Sequence, residues 1–88
     1  MDYDEFQKAV DALGIITKLD YKGLRKNYLR LSKKYHPDAE DGSEEKFKEV
    51  NEAYNLLKAY IENYKFSFEK DEFLSQYPSF TNYKNWNR

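Results

Sequence analysis

Apolar positions recur at intervals of three and four in three stretches of this chain, and each stretch predicts an amphipathic helix. In the first, Phe6, Val10 and Leu13 line up between Asp4 and Leu13 with Ala9 and Ala12 beside them, and Gly14 follows as the C′ residue that ends the turn. In the second, Asp20 is the N-cap, and Leu24, Tyr28, Leu31 and Tyr35 fall on one face of a helix that runs to Tyr35. Gly23 weakens that helix by about 1 kcal/mol relative to Ala, but it sits in the first turn, where the damage is least. The third signal is the clearest: Phe47, Val50, Tyr54, Leu57 and Ile61 repeat at three, four, three and four. Asp41 or Ser43 caps this helix, Glu44 and Glu45 suit its first turn, and it continues to Asn63. Between the first two helices, Ile15 to Leu19 form a connector whose apolar residues are expected to pack inward.

The break between the second and third helices is Tyr35-His36-Pro37-Asp38. Proline fixes its own φ, lacks an N–H and drives the preceding residue out of the α region, so the second helix must end near His36. A polar loop, Ala39 to Gly42, then returns the chain. The second and third helices are therefore expected to lie antiparallel with their apolar stripes facing, the first helix packed across them, and His36, Pro37 and Asp38 exposed at the tip. The twelve periodic residues named above, Phe6 to Ile61, are the expected core.

After Asn63 the pattern changes. Tyr64 to Glu69 alternates with period two, as a strand would, yet a lone strand has nothing to pair with. Lys70 to Tyr77 predicts a short helix that buries Phe73 and Leu74 and is stopped by Pro78. The expected fold class is all-α: a helical hairpin, a packed N-terminal helix, and a short C-terminal helix or aromatic tail. Residues 1–63 would be the helical core and 64–88 an aromatic extension packed on the same domain. Phe66, Phe68, Phe73, Phe80, Tyr83 and Trp86 either cover the small core or form an exposed apolar patch for a client, a second partner or another copy of the chain.

Composition narrows the possibilities. The 88 residues suit one small domain, and nine Tyr, six Phe and one Trp help a core that can only be modest at this size. With no Cys and a single His, neither disulfides nor a multi-histidine metal site is available within the chain. His36 is accompanied by no second ligand, nucleophile or phosphate-binding Gly loop, so no catalytic role, metal or cofactor is expected. The N-terminus lacks the basic and apolar regions of a secretory signal, and no apolar run approaches the roughly 20 residues of a membrane span, so a cytoplasmic protein is expected.

The net charge of −1, from 15 basic and 16 acidic residues, hides a strong segregation. Between Tyr21 and Lys34 stand Lys22, Arg25, Lys26, Arg30, Lys33 and Lys34 with no carboxylate among them. Such cations repel one another on an isolated helix, which calls for an acidic surface opposite them, in this chain or in a partner. A basic helix face is often only a solvated face, and it also suits nucleic-acid phosphates. The pI near 5.8 and the acidic loop beside the helix count against that second use.

Residues 4 to 63, about two thirds of the chain, resemble a J domain, the module of DnaJ-type co-chaperones. The resemblance rests on Ala12-Leu13-Gly14-Ile15, on Leu24-Arg25-Lys26-Asn27-Tyr28-Leu29-Arg30-Leu31-Ser32-Lys33-Lys34-Tyr35-His36-Pro37-Asp38, and on Glu45-Lys46-Phe47-Lys48-Glu49-Val50-Asn51-Glu52-Ala53-Tyr54-Asn55-Leu56-Leu57. His-Pro-Asp alone is common by chance; flanked by these segments at this spacing, it is specific. The resemblance implies binding to a DnaK-type (heat-shock 70) chaperone and stimulation of that partner's ATP hydrolysis, with no catalysis by the J domain itself. It assigns partner binding to Arg25, Lys26, Arg30, Lys33, Lys34, His36, Pro37 and Asp38. Leu29 stands where many members carry a further basic residue, and the Tyr-Tyr-x-x-Leu-Gly opening and the usual fourth helix are missing. A minimal or divergent member, or a fragment of a longer chain, is the expectation. The alternative within the same fold is a J-like scaffold that has lost ATPase stimulation.

Overall fold

The computed structural model describes residues 1–78. Four helices follow one another: α1 (Tyr3–Ala12), α2 (Tyr21–Tyr35), α3 (Glu44–Glu62) and α4 (Lys70–Gln76), with no strand among the described residues. The all-α expectation holds, and the period-two stretch 64–69 is irregular rather than extended into a sheet.

Each of the first three helices is bounded by its own sequence chemistry. The Asp2 carboxylate accepts from the Glu5 N–H at 2.8 Å to open α1. At its other end Gly14 takes φ 62°, the Ile15 N–H donates to the Val10 carbonyl and the Gly14 N–H to that of Asp11. That pair of bonds is a Schellman close, and the left-handed backbone it demands is one that glycine adopts without steric cost. Asp20 caps α2 by accepting from the Gly23 N–H at 2.8 Å, and Ser43, not Asp41, caps α3 by accepting from the Lys46 N–H at 3.2 Å.

The third helix is the hub, since α1 and α2 each pack along it. Between them lie the buried side chains Ala9, Leu13, Leu24, Leu31, Val50, Ala53, Tyr54 and Leu57, with Leu13 and Leu24 the most completely enclosed. Phe6, Val10, Tyr28, Tyr35 and Ile61 are half-buried against this cluster. The Tyr28 and Tyr54 rings stack at 4.1 Å and 15°, and Tyr28 donates its hydroxyl hydrogen to Asn51 Oδ1 at 2.9 Å, so the one polar atom on that ring is satisfied. Asn27 ties the end of α1 to α2 by donating to the Leu13 carbonyl at 3.3 Å.

Three expectations need correction. Phe47 is not part of the core cluster; it is half-buried beyond the end of that cluster and meets His36 edge-on. Ile16 is 96 % exposed and Leu19 40 %, so the connector turns only Ile15 inward. The described aromatic side chains of the C-terminal segment, Tyr64, Phe66, Phe68, Phe73 and Tyr77, are exposed, and α4 packs on none of the other helices. Phe80, Tyr83 and Trp86 lie outside the described residues.

Candidate functional site

The α2 helix carries its charge where its apolar stripe is not. At 100° per residue, Leu24, Tyr28, Leu31 and Tyr35 occupy one side, and Lys22, Arg25, Lys26, Arg30, Lys33 and Lys34 fan across the opposite half. All six cations are exposed. Among the described residues the ion pairs are His36 with Asp38 and Lys48 with Glu52, so no carboxylate neutralises this face. The acidic loop after Asp38 therefore does not fold back over it. Lys22 even stands in the first turn, at the positive end of the helix dipole, while Lys33 and Lys34 sit favourably in the last turn.

At the end of this face the chain turns through His36, Pro37 and Asp38, all exposed. His36 has φ −53° and ψ 136°, the extended geometry that a following proline enforces and that ends α2. Three backbone bonds close the turn: the Ala39 N–H donates to the His36 carbonyl at 2.8 Å, Gly42 to Ala39 at 3.0 Å and Ser43 to Tyr35 at 3.0 Å. The Asp38 N–H donates to His36 Nδ1 at 3.1 Å, which leaves the proton of the neutral imidazole on Nε2. The His36 ring rests edge-on against Phe47 at 5.4 Å and 71°. The Asp38 carboxylate is 94 % exposed and its Oδ2 is 3.8 Å from Nδ1, close enough for attraction if the ring is charged and too far for a hydrogen bond. A donor on His36 and an acceptor on Asp38 thus project from a braced turn. No cluster of three or more metal-ligating side chains occurs among the described residues.

The structure adds contacts that periodicity alone does not show. A Cβ on Gly42 would run into the carbonyl oxygens of His36, Pro37 and Ala39, so this position is glycine because the returning backbone crosses directly over the turn. Phe47 supports the imidazole from α3. Lys46 extends the basic region onto α3, since its Nζ lies 5.2 Å from the Tyr35 ring centre while that of Lys34 lies 5.3 Å away. Arg25 donates from a terminal nitrogen to the Tyr54 hydroxyl at 3.4 Å, and Tyr54 shares a 2.7 Å hydrogen bond with the Tyr21 hydroxyl. The glycine spacing alone gave no signal for Gly42; the close approach is a property of the folded loop.

Comparison with known proteins gives a consistent result. Residues 9–63 match the family described as DnaJ domain. The chain is similar to the "Chaperone protein DnaJ" of Trichodesmium erythraeum, 49 % identical over 49 residues, which is 53 % of this chain and 13 % of that protein. It is similar also to that of Lactobacillus gasseri, 51 % identical over 49 residues with the same coverage, and to that of Streptococcus mutans, 47 % over 53 residues, 58 % of this chain and 14 % of the relative. The match with these relatives thus spans only about an eighth to a seventh of their length. No solved structure matches.

Proposed function

This chain belongs to the DnaJ-domain family, and from that premise we propose that it docks on a DnaK-type chaperone and stimulates ATP hydrolysis by that partner. The docking surface is α2, with Arg25, Lys26, Arg30, Lys33 and Lys34 as its charged contacts, together with the turn His36, Pro37 and Asp38. The observation that carries this reading is the unneutralised basic face of α2 leading directly into the braced, exposed turn. A face of one sign attracts an acidic partner surface, speeds the encounter and makes it sensitive to salt. A turn already held by Pro37, Gly42 and three backbone bonds loses little entropy when it is gripped.

The chain itself performs no chemical step in this reading. Its contacts favour one conformational state of the partner, and only a difference in affinity between two states can shift that equilibrium. Stimulation therefore requires that the turn bind better to the hydrolysis-competent state than to the resting one. The test compares His36→Gln with the parent chain for stimulation of a DnaK-type ATPase, with circular dichroism to verify the fold. Loss of stimulation by a folded variant is expected. Equal stimulation by the variant would remove the turn from the mechanism, and no stimulation by the parent would leave a J-like scaffold as the better description.

A further inference from the structure

Among the described residues, Arg25 is the cation of the basic face that hydrogen-bonds a buried core side chain. Tyr21 and Arg25 are four residues apart on α2, so their side chains leave the helix on the same side, and Tyr54 meets both from α3. Tyr54 is 7 % exposed, with its ring fixed by the stack on Tyr28. Its hydroxyl is thus a fixed point at the edge of the core, 2.7 Å from the Tyr21 hydroxyl and 3.4 Å from the Arg25 guanidinium. Both phenols serve the same end. Tyr21 orients the Tyr54 hydroxyl, and the Tyr54 oxygen receives the arginine.

Resting on the docking reading above, we propose that Tyr21 and Tyr54 are positioning residues that hold Arg25 extended and ready for an acidic group of the partner. Arg25 spends one N–H on Tyr54, which leaves the other donors of its fork free for a carboxylate. An unheld arginine must give up its rotamer freedom on docking, whereas this one has surrendered much of it in the free chain. The electrostatics of the group agree with this arrangement. The hydroxyls of Tyr54 and Tyr21 both favour the charged guanidinium, and the Tyr21 hydroxyl and Arg25 together hold the Tyr54 phenol below its ordinary value against the opposing effect of burial. None of the other cations on α2 has a hydrogen-bonded side-chain anchor among the described residues.

The test uses the full chain with Tyr21→Phe, Tyr54→Phe, Arg25→Ala and the double variant Tyr54→Phe/Arg25→Ala. Each phenylalanine keeps the ring and removes only the hydroxyl. Two readouts are needed: the order of the Arg25 Nε–H group by NMR relaxation in the free chain, and affinity for a DnaK-type chaperone. Tyr54→Phe is expected to loosen Arg25 in the free chain and to weaken binding by about three- to tenfold, the range for releasing one rotamer-rich side chain. Tyr21→Phe should act in the same direction, and Tyr54→Phe should have no further effect on affinity once Arg25 is Ala. Unchanged Arg25 order in both phenylalanine variants would overturn the positioning role whether or not the partner binds. Weaker binding by Arg25→Ala with parental or tighter binding by Tyr54→Phe would overturn it while leaving the docking reading in place. If loosening is seen and Arg25→Ala binds as the parent does, Arg25 is not a docking contact and the positioning role falls, while docking through the other cations and the turn still stands on its own test.

Discussion

Tyr54 joins the interior to the charged surface, and its ring and hydroxyl do separate work. The ring is buried and stacked on Tyr28, so Tyr54→Ala leaves a cavity and is expected to cost about 3–5 kcal/mol in chemical denaturation. A denaturation midpoint equal to that of the parent would contradict the placement. The hydroxyl contributes a pH dependence whose sign is fixed. Its folded-state value lies below the ordinary 10.0, first because of the Tyr21 hydroxyl and then because of Arg25 and Lys58. A lowered value means that the stabilisation from ionising Tyr54 is fully present above the unfolded value, is lost as pH falls through the lowered folded value, and is absent at neutral pH. The stability difference between the parent and Tyr54→Phe should therefore widen as pH rises into the phenol range. A difference that stays flat there would show that the hydroxyl does not feel Tyr21 and Arg25.

Between α2 and α3, the turn depends on how two helices are stopped and restarted rather than on the tripeptide alone. Gly42→Ala places a methyl group against three carbonyl oxygens of the turn, so the turn must shift while α1, α2 and α3 keep their packing. The expected result is near-parental helicity with displaced backbone resonances over 36–43; unchanged resonances there would show that the backbone crossing leaves room for a methyl group. Arg30→Glu lies on the exposed side of α2, away from the core, and should leave stability within about 0.5 kcal/mol of the parent while weakening partner binding most at low salt. Salt-independent, parental affinity would take α2 out of the interface. Much at this scale was legible in the sequence because caps and periods are local. Asp20, Gly14 and the stop at His36 each act within a few residues of where they stand. Phe47 was misplaced because a period of three and four says which face a residue is on, not where the opposing helix ends. Ile16 and Leu19 were misplaced because a five-residue connector has no period to fix its faces, and Gly42 and the Tyr21–Tyr54–Arg25 group exist only once distant segments meet.

For the whole molecule, the three packed helices form a frame that separates a small apolar interior from a face of one charge, and the family match covers residues 9–63 of it, from the last turn of α1 through α3. The frame was readable because the two apolar stripes of α2 and α3 and the short loop between them leave one antiparallel solution. Segment 64–78 was not, since its alternation and its short helix offer neither a partner strand nor a stripe long enough to dock, and the described rings remain exposed. The central claim is that the basic face and the His36-Pro37-Asp38 turn act together on a chaperone's nucleotide cycle. Single-turnover ATP hydrolysis by a DnaK-type chaperone, with and without this chain, measures it most directly. Acceleration by the parent chain that disappears with His36→Gln is the expected result; a hydrolysis rate that is the same with and without the parent chain would contradict the claim.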